Sequence, residues 1–343
     1  MHSSSEGTDS DTNHDQQTPR LDIRISETLD PPTERHHLLL GFQFGSGLQT
    51  PPHPAIVHLH LRPLNHDQLA EAWWYEGEVR FTQSGSVRVA ECQEYTVAIF
   101  QKKTDADKDF SLEAREAYGE LITAVRSTRH TRMVKIWNYF DEINTGDGDA
   151  ERYRQFSIGR AEAFQELGVG DDLAPTGTAI GTQNCGSLSV IAIASNHHYH
   201  PVENPRQTSA FHYPRIYGPK SPKFSRGGFV SSETHRLFLI SGTAAVVGHE
   251  SNFPYNTHLQ TEETFKNLDV LCGAISEMDS IESQFTLDNQ SVLRVYLKNP
   301  DDYPLVSQEM NEHLNAKGQH VAYLHGTICR RELTVEIDGV KVV

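Results

Sequence analysis

The chain has 343 residues, enough for two domains of about 150 residues with a core each. Its 46 Asp and Glu against 30 Lys and Arg leave a formal net charge of −16, which argues against nucleic acid and anionic membranes as main partners. No run of 18 apolar residues exists to span a bilayer, and the N-terminus shows no charged and apolar segments of a secretory signal.

Residues 1–20 are Ser, Asp, Thr, Gln and His with almost nothing apolar, and a disordered tail is expected there. Residues 38–44 and 55–61 read as strands, and 86–100 as a hairpin around Cys92-Gln93-Glu94. Asp109 or Ser111 can cap an amphipathic helix over 112–122. A strand at 133–139 then leads through the turn cluster 144–149 into a helix over 149–165. Strands at 176–181 and 187–195 come after it, and a linker rich in His, Pro, Asn and Gly covers 196–207.

Residues 213–226 form a basic, aromatic, Pro-containing loop in an otherwise acidic chain. It suits either an ordinary surface loop or an anion-binding lip, since planar Arg beside Tyr can hold a carboxylate. Residues 236–244 read as a buried strand ending in small residues, and Gly242 there marks a bulge or a close approach to the backbone. A helix over 262–271, a strand at 292–297 and a helix over 304–316 come next. The terminal segment 329–338 reads as one more strand, with Leu333, Val335 and Ile337 on one face and Thr334, Glu336 and Asp338 on the other. A carboxylate inside a β-branched strand is either exposed or chemically employed.

The pattern of strands, helix, strand, helix, strands occurs twice. Residues 186–194 align with 331–339, and 133–139 align with 292–297. In that alignment Glu336 stands opposite Ile191, which suggests a structural first copy and a catalytic second copy. The expected division is a tail at 1–20, an N-terminal unit at 21–200 and a C-terminal unit at 201–343.

Cys92, Cys185, Cys272 and Cys329 are widely spaced and form no CxxC pair, as expected of reduced thiols in the cytoplasm. The 19 histidines invite a metal hypothesis. His58 and His60 share a strand face, and His197, His198 and His200 cluster, but neither group has Asp, Glu or further His at ligand spacing. No metal is expected.

Residues 236–343 resemble the YjgF/RidA superfamily at Ser241-Gly242-Thr243, Gln260 to Leu268, Arg294 to Lys298 and Val335-Glu336-Ile337-Asp338. The tandem chain from Arg35 onward more specifically resembles the chorismatase family. The matching residues are Trp137-Asn138-Tyr139, Glu151 to Phe156 with Gly159-Arg160, Pro214 to Pro219, and Cys329-Arg330-Arg331 through Glu336. The resemblance implies an α+β fold of two YjgF/RidA-like units, each a mixed sheet with two helices on one face. It also implies release of pyruvate from chorismate without metal or organic cofactor.

By that resemblance Glu336 is the general acid, protonating the methylene carbon of the enol ether to give an oxocarbenium ion. Burial must raise its pKa for it to hold a proton near neutral pH. Arg215 and Arg160 are the expected partners of the substrate carboxylates, with Tyr153, Gln155 and Tyr217 as neutral donors. Of Arg330 and Arg331, on opposite strand faces, at most one points inward, and Arg330 is carried as the candidate. Gly242 and Cys329 resemble the aromatic branch of the family, which forms mainly 3-hydroxybenzoate with some 4-hydroxybenzoate. Gly242 is expected to leave room for the substrate ring. For Cys329 to share a pocket with Glu336, seven residues on, the strand must be irregular near Arg330-Arg331.

Alternatives remain open: a hydrolase giving a dihydroxycyclohexadiene carboxylate, a trimeric RidA-like imine deaminase, a metabolite-binding protein, or a metal-dependent dioxygenase. A monomer is favoured over the trimer because two copies are already fused.

Overall fold

The computed structural model describes residues 21–45, 53–170, 174–183, 186–232, 235–279, 285–314 and 320–343. The tail expected at 1–20, Cys185 and the end of the helix expected to reach Ala316 lie outside these residues. The chain opens with β1 (Leu21–Ser26), β2 (His36–Phe44), β3 (Ile56–Leu59), β4 (Arg62–Pro63) and β5 (Leu69–Glu76). Four of these pair in the order β1-β5-β2-β3, a small sheet that periodicity alone does not set apart from the first repeat.

The first repeat runs β6 (Arg80–Ser84), β7 (Val87–Glu91), β8 (Thr96–Lys103), α1 (Phe110–Arg126), β9 (Met133–Asp141), α2 (Arg152–Glu166), β10 (Thr176–Thr182) and β11 (Ser187–Ala194). The second runs β12 (His198–Val202), β13 (Gly227–Ser231), β14 (Arg236–Thr243), β15 (Val246–Val247), β16 (Glu250–Ser251), α3 (Thr257–Asp279), β17 (Val292–Leu297), α4 (Tyr303–His313), β18 (Val321–His325), β19 (Thr327–Ile328) and β20 (Val335–Val342). The two large sheets have the orders β19-β10-β9-β11-β8-β7-β6 and β12-β13-β14-β20-β17-β18-β4.

Five central strands correspond one to one: β10-β9-β11-β8-β7 with β18-β17-β20-β14-β13. In each copy the two strands flanking the second helix pair parallel, β9 with β10 and β17 with β18. Such a pair needs a helical crossover, which α2 and α4 supply. The internal alignment therefore holds in space, with β11 and β20 in equivalent places. Short strands extend both sheets across the boundary: β19 of the second repeat pairs with β10, and β4, which precedes the first repeat, with β18. The fold is α+β, two units each with a mixed sheet and two helices.

Strand alternation sorts the cores. Val190 and Ala192 face the helices of the first unit, and Val335 and Ile337 those of the second. Ile191, Ile193, Leu237, Leu239, Trp137 and Tyr296 fill the layer between the sheets. Helix α1 starts at Asp109, whose carboxylate accepts from the Ser111 N–H at 2.9 Å. It packs closely on α2 because of Gly159: a Cβ there would lie 2.0 Å from the Ser111 carbonyl oxygen.

The intersheet layer also buries charge. Arg294 of β17 grips Glu71 of β5 through two bonds of 2.6 and 2.7 Å, with both residues at most 2% exposed. Trp73 Nε1 donates to the same carboxylate at 2.8 Å, and the Phe42 ring lies 4.0 Å from the guanidinium carbon. This pair ties the small sheet to the second unit. Removing one partner strands the other charge. Glu71→Ala should therefore cost about 3–5 kcal/mol, read as a lower urea midpoint at unchanged slope.

Candidate active site

The terminal segment is not the continuous strand its alternation suggested. After β19 the chain turns, with the Leu333 N–H donating to the Arg330 carbonyl at 3.1 Å. Thr334 then points toward α3, where its N–H and hydroxyl both donate to Gln260 Oε1. Regular alternation begins only at Val335. The expected irregularity at Arg330-Arg331 is this turn, and it brings Cys329 and Glu336 to one cavity.

That cavity, of about 330 Å³, lies between the two units. Tyr153 and Arg154 of α2 and the 147–151 turn line one side. Tyr213, Ile216, Tyr217, Phe224 and Arg226 of the basic loop line the other. The floor is Gly242, Ala244, Cys329, Arg330 and Glu336. The basic loop is thus the lip of a pocket.

Glu336 is 4% exposed. Burial, then the nearby charge of Asp338, push its pKa up to about 8, against the pull of Lys135, Arg226 and Arg330. At neutral pH it is a carboxylic acid with a proton to give. Burial and Glu336 push the Cys329 thiol up to about 12, so it stays neutral. Burial also raises the Tyr153 and Tyr217 hydroxyls, which remain protonated donors.

Gly242 sits in a register shift between Ile240 and Thr243, where β14 bulges away from β20. A Cβ at Gly242 would lie 1.9 Å from Glu336 Oε1 and 2.8 Å from its carboxyl carbon. The space this glycine was expected to leave for the substrate ring is taken by the acid itself.

The positive groups differ in how they are committed. Arg226 donates to the Thr208 carbonyl at 2.9 Å and the Tyr213 hydroxyl at 2.6 Å. Arg330 donates to the His249 carbonyl at 2.8 Å and Ser251 Oγ at 3.1 Å, and its guanidinium carbon lies 4.0 Å from the centre of the Tyr217 ring. These acceptors are neutral, so both cations are placed without being neutralised by them. The others are paired: Arg154 with Glu151, and Arg331 with Glu151 and Asp147 at the mouth.

Three expected binders do not line the cavity. Arg215 is exposed and makes a bidentate pair with Asp149, at 2.9 and 2.6 Å. Gln155 donates to the Asp149 carbonyl at 2.6 Å and lines a different depression, over Phe110 and Arg152. Arg160 is 3% exposed, with its guanidinium 5.1 Å from the Phe156 ring and its charge acting on Tyr118 and Tyr153. The helix turns it into the packed rings. Glu336, Cys329, Arg330, Tyr153, Tyr217 and Gly242 do come together. Arg226 was missed, although it ends the basic loop whose character the sequence displayed.

Of the histidines that invited a metal, His58 bonds Gln43 at 2.6 Å, and His200 stacks on Phe229. Among the described residues no group of three or more His, Cys, Asp and Glu is arranged to hold a metal ion. No helix among them is long and apolar enough to cross a membrane.

Fold and site together define a class: two fused α+β units of matching topology with a buried carboxylic acid and two arginines in the cavity between them. The chain matches the family model described as Chorismatase FkbO/Hyg5-like, N-terminal, over residues 71–194. It is 29% identical over 281 residues to a 3-hydroxybenzoate synthase of Streptomyces hygroscopicus, covering 80% of this chain and 82% of that one. A chorismatase of the same organism is 28% identical over 325 residues, with 92% and 93% covered. A crystal structure of a chorismatase superposes with a TM-score of 0.84 at 25% identity, covering 94% of this chain and 98% of that one. Family model, relatives and solved structure agree in likening the chain to chorismatases.

Proposed function

We propose that this protein is an enzyme that converts chorismate to a hydroxybenzoate, mainly the 3-isomer, and pyruvate. The observation that carries this reading is the buried acid Glu336, held protonated at neutral pH in a pocket with Arg226 and Arg330. Chorismate is a dianion with an enol ether, so it needs two cationic partners and one proton donor. Hydroxybenzoate and pyruvate together contain the atoms of chorismate, so the conversion consumes no oxidant and no second substrate.

Arg226 and Arg330 bind the carboxylates, with Tyr153 and Tyr217 donating further hydrogen bonds. Glu336 gives its proton to the terminal methylene carbon of the side chain. The side chain becomes an oxocarbenium ion; the ring C–O bond then breaks with its electron pair passing to oxygen, so pyruvate leaves and the ring is left as a cation, which loses a proton to the Glu336 carboxylate as it becomes aromatic. Cys329, a neutral thiol on the same floor, meets the ring and favours rearrangement over capture of water. The relative named 3-hydroxybenzoate synthase supports the aromatic product.

The test is incubation with chorismate, with pyruvate followed by a coupled assay and the aromatic product by chromatography. Pyruvate with the non-aromatic diol alone would overturn the aromatic assignment. No pyruvate would overturn the reading as a whole. Arg226→Ala and Arg330→Ala should each lower kcat/KM about 10–100-fold, as expected when a carboxylate loses a charged hydrogen bond of about 1.5–3 kcal/mol. Arg215→Ala, which breaks only the exposed pair with Asp149, should stay within about twofold of the parent.

A further inference from the structure

Behind Glu336 lies a buried polar cluster to which the reaction above gives no part. Asp338 is two residues along the same strand and 1% exposed. Its Oδ2 accepts from Thr178 Oγ1 at 2.6 Å and Trp137 Nε1 at 2.9 Å, and Lys135 Nζ stands 3.6 Å away. All three groups come from the first unit, on β9 and β10.

The cluster also clasps the bulge under the pocket. Lys135 Nζ donates to the Ile240 carbonyl at 2.5 Å, and the Gly242 N–H donates to Thr178 Oγ1 at 3.1 Å. Ile240 and Gly242 flank the site where β14 loses register with β20. Glu336 lies against Gly242, so one network holds both the acid's strand and the wall it rests on.

Hydrocarbon would fill this layer at least as stably. The same layer holds Ile191, Ile193 and Leu239, and a buried ion pair is commonly no better than a packed apolar one. Asp338 Oδ1 is buried without a hydrogen-bond partner, a further cost. The arrangement makes sense if the charge serves the neighbouring acid.

We propose that Asp338, held from across the unit boundary by Thr178, Trp137 and Lys135, is a positioning residue that fixes the strand of Glu336, seats its carboxyl against Gly242 and places a carboxylate behind it. This rests on Glu336 being the proton donor. The first unit is then part of the machinery through its grip on Asp338.

The charges that act most on the acid come from several elements, and Glu151 and Glu332 line the same cavity. Asp338 opposes ionisation of Glu336, whereas Lys135 of β9, Arg226 of the lip and Arg330 of the turn favour it. The Cys329 thiol and the Tyr153 hydroxyl of α2 are neutral neighbours. Tyr296 of β17, paired opposite Glu336, is also neutral. Arg294 and Glu71 act on Lys135 from the far side of the cluster.

The experiment is the pH profile of kcat/KM for pyruvate release from chorismate, in the intact chain, with circular dichroism as the check on folding. Asp338→Asn removes the opposing charge, so the alkaline limb should move down by about one pH unit. Lys135→Met removes a favouring charge, so the limb should move up. Thr178→Val should lower turnover about tenfold at pH 6, and Thr178→Ser should restore it to within about twofold. A merely structural role would lower activity at every pH without opposite shifts.

Folded Asp338→Asn and Lys135→Met with unmoved limbs, alongside an inactive Glu336→Gln, overturn the proposal and leave the acid assignment standing. An active Glu336→Gln overturns the acid assignment, and the proposal falls with it. If a charge variant is unfolded or inactive, the Thr178 pair decides: equal activity of Val and Ser at this position overturns the proposal.

Discussion

Glu336→Gln should release pyruvate from chorismate about 10²–10⁴-fold more slowly than the parent, with substrate binding little changed. An amide keeps the shape of the side chain and its fit against Gly242 but has no proton to give to carbon. The loss should appear in kcat, since the proton is transferred only on the way to the transition state. Retention of more than about a tenth of the parent turnover would show that another group delivers the proton.

The same variant carries a stability signature. In the unfolded chain the Glu336 carboxyl titrates near its ordinary value, about 4.5, and in the folded protein at about 8. Below the lower value both states hold the proton and the group favours neither. Between the two, the unfolded state sheds its proton while the folded state keeps it, so stability falls as pH rises, and the loss levels off above 8. Glu336→Gln lacks this penalty, and its Tm should rise relative to the parent from pH 5 to pH 8. The parent's kcat/KM should fall along an alkaline limb near pH 8, where the acid form is lost.

Much of this was legible in the chain because it is encoded locally. The two copies share an order of amphipathic helices and apolar strands, and each element declares itself within about ten residues. Glu336 stood out because one carboxylate interrupts hydrocarbon where Ile191 does not. The destination of the arginines was not legible, because it depends on partners far away in sequence. Arg215 pairs with Asp149, 66 residues earlier, and so stays outside. Arg160 is carried by its helix into the rings of Tyr118 and Phe156. Arg226 reaches the pocket because its loop folds back, with Tyr213 and Thr208 holding the guanidinium. The buried Arg294–Glu71 pair spans 223 residues, a separation no local pattern reports.

Gly242→Ala should lower turnover by about 100-fold, nearly as much as removing the acid. The added methyl would start 1.9 Å from Glu336 Oε1, far inside contact distance. Something must move, and the backbone has little freedom: the Gly242 N–H is bonded to Thr178 at 3.1 Å, and the neighbouring Ser241 hydroxyl bonds the Gly177 N–H at 2.8 Å and the Ser225 carbonyl at 2.5 Å. The carboxyl is therefore the group that yields. A displacement of about 1 Å at a reacting group costs on the order of 10²-fold in rate. Chorismate affinity should change much less, because Arg226 and Arg330 do not touch the new methyl. Adding Cys329→Ala should shift the remaining product toward the non-aromatic diol, since water then meets the ring where the thiol stood. Pyruvate release measures the displaced acid and the ratio of aromatic acid to diol measures the thiol, so the two contributions separate in one assay. Full turnover in Gly242→Ala would mean that Glu336 does not need to lie against Gly242 to work.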